Sequence, residues 1–293
     1  MTLLLQLFIN GLVQGMPLAC LAVGFGLVYR SLKIFHLAMG AQFILTGYIL
    51  YALMDWFGMD LITAVPLTLV LAVLFGALIE KAVYLPFFKK KSSAGVTMIA
   101  SLGVMIIVEN VIALIFGNNV KSISTDLEPI YMWHGLKVTR IQLIQFLICG
   151  VCFGGLGYLI QRSKWFKVIW AMGDQPKLVP VMGLPLNTIR LVIMCLAAFM
   201  VAVPSVLIGY DVGLEPHTGM NYLLTASVAV FFGGLDKYWA WGFGAICVAI
   251  MQSVVVWQFS GEWISLVTFA TLVFVLLFKP NGLFGVRKRM EEE

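Results

Sequence analysis

Polar side chains stand alone inside long apolar stretches of this sequence. Glu109 and Asn110 lie midway through Thr97 to Gly117, and Asn10, Gln14, His36, Gln42, Gln252 and Ser253 are set among apolar neighbours in the same way. A charged group at the centre of a membrane helix costs about 2.5–3.5 kcal/mol on insertion scales, so such residues face a bundle interior or a water-filled path. Two kinds of chemistry fit them. They line a route for a small polar solute, or they lock one helix to another by hydrogen bonds. Both readings stand for each residue at this level.

Other chemistries find no support in the residues. His36, His134 and His217 occur apart, without the close spacing of metal ligands, and no metal site is expected. Cys149 and Cys152 form a C-x-x-C without a second pair, beside Gly150, Gly154, Gly155 and Gly157. Small residues so spaced let membrane helices approach closely, as do Gly11 and Gly15. The chain has no Gly-x-x-x-x-Gly-Lys-Ser/Thr run to cradle phosphates, so any ATP that drives it must be hydrolysed by a partner. No local nucleophile, histidine and acid signature is present, and no cofactor is expected.

The elements that hold these residues follow from composition. The 293 residues are 61% hydrophobic and 11% charged, with mean hydropathy +0.99. A soluble domain has about 45–50% apolar and about 25% charged residues, so this chain belongs in a bilayer. Apolar runs fall at about 3–29, 34–54, 61–79, 97–117, 141–160, 191–209, 221–233, 239–258 and 263–278. They are continuous rather than alternating, which selects helices over a transmembrane barrel. The expectation is an all-α, polytopic membrane protein of about eight or nine helices, a single transmembrane domain over residues 1–293. The run 221–233 is short for a core about 30 Å thick and predicts a half-helix or a tilted piece of a broken one. A discontinuous helix can present its positive N-terminal end to an anionic group, which makes Thr218, Asn221 and Thr225 candidates for the path.

Charge sets the sidedness. With loops assigned alternately, 16 of the 19 Lys and Arg residues fall on one side, from Arg30 and Lys33 to Arg287, Lys288 and Arg289. Only Lys121, Lys137 and Arg140 fall on the other. The positive-inside rule makes the first side cytoplasmic, with the C-terminus there and the N-terminus outside. The net charge of +5 is scattered through short loops rather than gathered on one face, so no nucleic-acid partner is expected. Residues 1–29 have no basic residue before Arg30 and read as a retained span rather than a cleaved signal. Cys20 has Pro17 where a lipobox wants a large aliphatic residue. Lys89, Lys90 and Lys91 read as an anchor beside anionic lipid.

One segment, at about 162–190, is long enough to dock a partner. It opens with Lys164-Trp165-Phe166-Lys167, an interfacial anchor, and continues through Ala171-Met172-Gly173-Asp174-Gln175-Pro176-Lys177 to Gly183-Leu184. Here the chain resembles the permease subunits of branched-chain amino acid importers of the ATP-binding-cassette class. Their cytoplasmic pattern R-A-x-A-x-x-x-x-x-A-x-x-x-G-[IL] is matched by Ala171, Gly173, Asp174 and Gly183-Leu184, with departures at Trp170, Pro176 and Val179. Asn10-Gly11 through Val28-Tyr29, Ile34 to Tyr48, Ile99 to Gly103 with Gly117, and the closing Lys279-Pro280-Asn281-Gly282-Leu283-Phe284-Gly285 extend the resemblance along nearly the whole chain. His36, Met39 and the Asp236-Lys237 pair followed by Tyr238, Trp239 and Trp241 mark a divergent branch.

The resemblance implies a permease without catalytic residues, in a bacterial or archaeal cytoplasmic membrane. Its implied partners are two ATP-binding subunits docked on Ala171, Gly173, Asp174, Lys177 and Gly183, a homologous or identical permease, an extracytoplasmic solute-binding protein and membrane lipid. Branched-chain amino acids are the expected solute. Urea, short amides and an ion-coupled carrier using Glu109 and His36 are the alternatives. The expected path residues are Asn10, Gln14, His36, Gln42, Glu109, Asn110, Thr225 and Gln252.

Overall fold

The computed structural model describes residues 2–123, 129–133, 136–174, 183–279 and 282–285. All nine apolar runs are helical. They form α1 (Thr2–Leu32), α2 (Ala38–Asp55), α3 (Leu61–Ile79), α5 (Ala94–Phe116), α6 (Arg140–Arg162), α8 (Leu186–Asp211), α9 (Gly219–Gly233), α10 (Tyr238–Gln258) and α11 (Trp263–Phe278). A π turn at Glu80–Tyr84 and the short α4 (Leu85–Lys89) continue α3, and α7 (Lys164–Asp174) lies outside the apolar runs. Among the described residues six helices are long and apolar enough to cross a membrane by length and composition, while α9 and α11 are shorter apolar helices.

One element was not foreseen. Ile130–Trp133 and Leu136–Thr139 form an antiparallel hairpin between α5 and α6. It is tied to the start of α1, where the Gln6 amide donates to the Lys137 carbonyl and accepts from the Lys137 N–H. Thr139 then starts α6 with a capping box, its hydroxyl accepting from Gln142 N–H while the Gln142 side chain accepts from Thr139 N–H. This reciprocal pairing satisfies two of the donors that every helix N-terminus leaves open.

The centre of the bundle is α1. It packs on α6, α7, α8, α9 and α10. Gly11 and Gly15 lie directly against Ile250 and Ile246 of α10, and Gly26 lies on the Trp241 ring. Leu27 and Val28 share a cluster with Ile189 and Ile193, whereas Cys20 clusters with Val203 and Leu207, so α1 and α8 run antiparallel. Where α1 packs on α8, α9 and α10, α8 packs on α1, α2 and α3. Exchanging α1 with α8, α2 with α9 and α3 with α10 maps one set of contacts onto the other, which is the relationship of an inverted repeat.

Both α2 and α9 begin in the interior. The Ala38 N–H at the start of α2 is capped by the Ser101 hydroxyl of α5, about two turns inside that helix. Gly219 at the start of α9 touches Gly40 of α2. The strand-like connection before α9 descends from a bridge between Lys121 and Leu214, with the Leu214 side chain pressed on Gly47 and Gly209. The short run is therefore a helix that starts inside the bundle, the first of the two forms its length allowed.

The other end of α9 is closed by the C-terminal motif. Leu283 N–H donates to the Phe232 carbonyl and Phe284 N–H to the Gly233 carbonyl, so the motif occupies acceptors that a helix C-terminus leaves open. Gly282 makes the approach with φ +78°, and a Cβ there would meet Gly234 Cα and the Phe231 carbonyl at 2.6 Å. Only glycine fits both conditions at that point.

The expectation for the cysteine-glycine face of α6 is corrected in part. Cys149 and Cys152 are free and packed, Cys149 fully buried with its carbonyl accepting from the Cys20 thiol at 3.4 Å, and Gly157 receives the Tyr238 ring. Gly150, Gly154 and Gly155, however, meet nothing within 4 Å. They lie on the side of α6 turned away from the bundle, which spacing alone does not distinguish from the packed side.

Candidate functional site

A cavity of about 370 Å³ opens among α1, α6, α8, α9, α10 and α11, at the end opposite the basic one. Its polar lining is Gln14, Gln145, Asp211, Asn221, Tyr222, Thr225, Gln252 and Ser265, and its apolar lining includes Leu18, Leu21, Ile208, Ala249 and Ile264. Central α1 supplies Gln14 one turn above Leu18. The interior start of α9 brings Asn221, Tyr222 and Thr225 to the wall, which a full-length span would have set elsewhere. The volume and mixed lining are those of a small-molecule site.

Four of these polar groups have defined hydrogen-bond partners. Gln145 donates from Nε2 to the Leu207 carbonyl at 3.0 Å and to Asp211 Oδ2 at 3.2 Å, joining α6 to the end of α8. Gln252 donates to the Thr268 hydroxyl at 3.0 Å, joining α10 to α11. Thr225 donates to the Asn221 carbonyl of its own helix at 2.8 Å, which leaves its oxygen lone pairs as acceptors.

Three of the eight expected path residues, Gln14, Thr225 and Gln252, line this cavity together. The other five lie elsewhere. Asn10 accepts from Gln6 at 2.8 Å, one turn further toward the start of α1. His36 is 1% exposed and its Nδ1 is 2.6 Å from the Tyr84 hydroxyl, which donates to Ser101 at 2.8 Å. Gln42 is buried and donates to the Ala72 carbonyl of α3. Glu109 is half-buried on α5, and Asn110 is exposed there with its amide turned back to the Ile106 carbonyl. His36 thus joins the connection before α2 to the π turn, and Gln42 joins α2 to α3. Gln145, Asp211, Tyr222 and Ser265 were missed. Gln145 interrupts an apolar run in the same manner as the amides that were singled out, so the same signal marked it. Asp211 falls just beyond the apolar run 191–209, so its position carried no signal of an interior place.

At the basic end α7 is seated under α1. Gly173 is buried against the Arg30 carbonyl and guanidinium, and the guanidinium stands 5.5 Å from the centre of the Trp170 ring. Trp170 in turn lies 5.5 Å from Trp241 of α10. Ala171 and Asp174 belong to this helix, Gly183 has φ +73°, and Lys177 lies outside the described residues. His134 and Pro280-Asn281 also lie outside them. Among the described residues no group of three His, Cys, Asp or Glu could hold a metal ion.

The helices and the polar cavity they enclose define the class: a polytopic, all-α membrane protein with a solute-sized site inside the bundle. The chain belongs to the family of branched-chain amino acid transport system permease components, whose model matches residues 7–276. It is thus a permease component. Relatives include the high-affinity branched-chain amino acid transport system permease proteins BraD of Pseudomonas aeruginosa and LivH of Escherichia coli K12. Each is 24% identical, with 96% of this chain and 95% of the relative covered. A probable branched-chain amino acid transport permease protein LivH from Methanocaldococcus jannaschii is 24% identical over 92% of this chain and 89% of its own. Among solved structures, PsaBC from Streptococcus pneumoniae in complex with Fab is similar in fold, with TM-score 0.50 and 16% identity over 94% of this chain and 92% of that one.

Proposed function

We propose that this permease carries branched-chain amino acids, or a closely related small amphipathic solute, across a bacterial or archaeal cytoplasmic membrane as one subunit of an ATP-binding-cassette importer. The observation that carries this reading is the family match over residues 7–276. The cavity supports it, since amides and hydroxyls beside Leu18, Leu21 and Ala249 suit a solute with a polar head and an aliphatic tail. The 16-to-3 distribution of Lys and Arg supports a cytoplasmic basic end and C-terminus.

On this reading an external binding protein delivers solute to the cavity, and a second permease completes the translocation unit. Two ATPases dock at α7 and the segment that leads to Gly183. Their closure moves α7, and the Arg30, Trp170 and Trp241 contacts carry the movement to α1 and α10, the helices that hold Gln14 and Gln252. Solute shifts the cycle through its different affinity for the outward and inward states. No bond of the solute is broken.

Gentle purification from the native membrane followed by mass spectrometry tests the assembly. Recovery of ATPase subunits and a second permease, with leucine uptake that stops on ATP depletion and persists when ion gradients are collapsed, is the expected result. A chain that purifies alone and transports under an ion gradient would overturn it.

A further inference from the structure

At the basic end a cleft of about 530 Å³ opens between α6, α7 and the start of α10, apart from the polar cavity. Its charged groups among the described residues are Lys167 on α7 and Asp236 and Lys237 just before α10. Asp236 already interacts within the protein, and the two ammonium groups leave the wall positive. Lys167 and Lys237 are exposed, and Lys237 Nζ stands 5.5 Å from the centre of the Trp239 ring. An ammonium held over an aromatic face keeps its N–H donors for an anion. Helix α10 starts at Tyr238 without a side-chain cap, so its positive end adds to the two lysines. Phe166, Tyr238 and Trp239 give the cleft the aromatic surface that belongs at headgroup depth. The Tyr238 ring is fixed there, its hydroxyl donating to the Phe153 carbonyl at 2.6 Å.

The α6 wall of the cleft continues toward the bilayer centre. Gly150, Gly154, Gly157 and Gln161 follow one another at intervals of four, three and four residues, which sets them on one stripe of the helix. Gly157 and Gln161 line the cleft, whereas a Cβ on Gly150 or Gly154 would meet nothing within 4 Å. Leu147, Val151 and Tyr158 beside the stripe are exposed. A basic recess at headgroup depth thus opens onto an uncovered apolar strip whose missing side chains leave room for a hydrocarbon chain. That combination fits an anionic head with an acyl tail.

We propose that an anionic phospholipid of the cytoplasmic leaflet binds here, its phosphate received by Lys167 and Lys237 and one acyl chain laid along Gly154 and Gly150. The inference rests on the reading above for the side of the membrane. Basic recesses between membrane helices on that side suit anionic head groups. Bound so, the lipid bridges α7 to the start of α10 and steadies the segment on which the ATPases dock. Phosphatidylcholine carries its phosphate beside a fixed cation and is held less tightly by the two lysines.

The test reads lipid bound to the complete purified importer by native mass spectrometry, during titration with phosphatidylglycerol or with phosphatidylcholine of the same chains. Preferential retention of phosphatidylglycerol is expected. Lys167→Gln combined with Lys237→Gln should weaken that retention by roughly tenfold or more and erase the preference. Gly154→Leu leaves both lysines in place and fills open space, so it disturbs no neighbour. It should weaken retention of the same lipid by roughly threefold through lost packing contacts. Unchanged retention in either variant overturns the assignment. Displacement of the lipid by excess inorganic phosphate would give the cleft to a free anion, and loss of the ATPase subunits from the double variant with its lipid retained would give it to the ATPases. Either result also overturns the proposal. Lipid retention is read without any solute, so absence of leucine uptake in the unmodified importer is a separate failure, that of the functional reading itself.

Discussion

Gly40 on α2 and Gly219 on α9 occupy each other's side-chain space. A Cβ on Gly40 would lie 2.9 Å from the Gly219 carbonyl oxygen, and a Cβ on Gly219 would lie 2.5 Å from the Gly40 carbonyl oxygen. The two helices that begin inside the bundle therefore cross at their first turns, backbone on backbone. This contact sets the depth at which α9 starts and so brings Asn221 and Thr225 to the cavity.

Because the opposing atoms are backbone, neither can step aside. Gly219→Ala should destabilise the protein by about 1–3 kcal/mol, the usual cost of overpacking. Thermal unfolding in detergent, followed by tryptophan fluorescence, should show a lower Tm. Gly103→Ala on α5, where a Cβ meets nothing within 4 Å, should leave Tm unchanged or raise it, because alanine favours helix by about 1 kcal/mol over glycine.

A buried ion pair ties α3 to α8. Arg190 Nε donates to Glu80 Oε1 at 2.7 Å, and the two side chains are 3% and 2% exposed. The π turn begins at Glu80, and the guanidinium lies 4.3 Å from the Phe88 ring centre. Removing one partner leaves a buried charge uncompensated, so Glu80→Gln or Arg190→Met alone should cost about 3–5 kcal/mol. The double replacement should cost less than the sum. A double-mutant cycle on unfolding midpoints measures the coupling, and additivity would show that the pair does not interact.

Ser101 closes a network that starts α2. Its hydroxyl accepts from Ala38 N–H and from the Tyr84 hydroxyl, both at 2.8 Å. Ser101→Ala leaves the buried Ala38 N–H unmet at about 1–3 kcal/mol, while the Tyr84 hydroxyl keeps His36 Nδ1 as a partner. The expected result is faster amide exchange in the first turn of α2 together with a lower Tm. Exchange that matches the unmodified protein would remove this role.

Coupling to the ATPases is tested at Trp170. Trp170→Ala removes the ring between Arg30 and Trp241 without touching the cavity. In the reconstituted importer, leucine-stimulated ATP hydrolysis and uptake should part company, with uptake reduced at least tenfold and the protein still present in the membrane. Gly183→Leu should likewise abolish uptake, since φ +73° strains any residue with a Cβ and the open space beside Gly183 lies on the segment proposed to dock the ATPases. Normal uptake in both would detach α7 from coupling.

The sequence by itself determined the helices, their order, the basic end and the family, because lipid demands long apolar segments and because lysine and arginine resist crossing. Even the interior start of α9 was legible as a run too short to span. It did not determine which polar residues meet. A helix apolar all round carries no directional signal for its neighbours, so Gln42 and Gln252 read alike although one locks α2 to α3 and the other faces the cavity. Only the tertiary structure decided between them, through contacts of residues far apart in the chain: Gly40 with Gly219, Glu80 with Arg190, Gln145 with Asp211. Close packing and the need to satisfy every buried polar group chose those pairs, and both depend on the whole bundle rather than on any one segment.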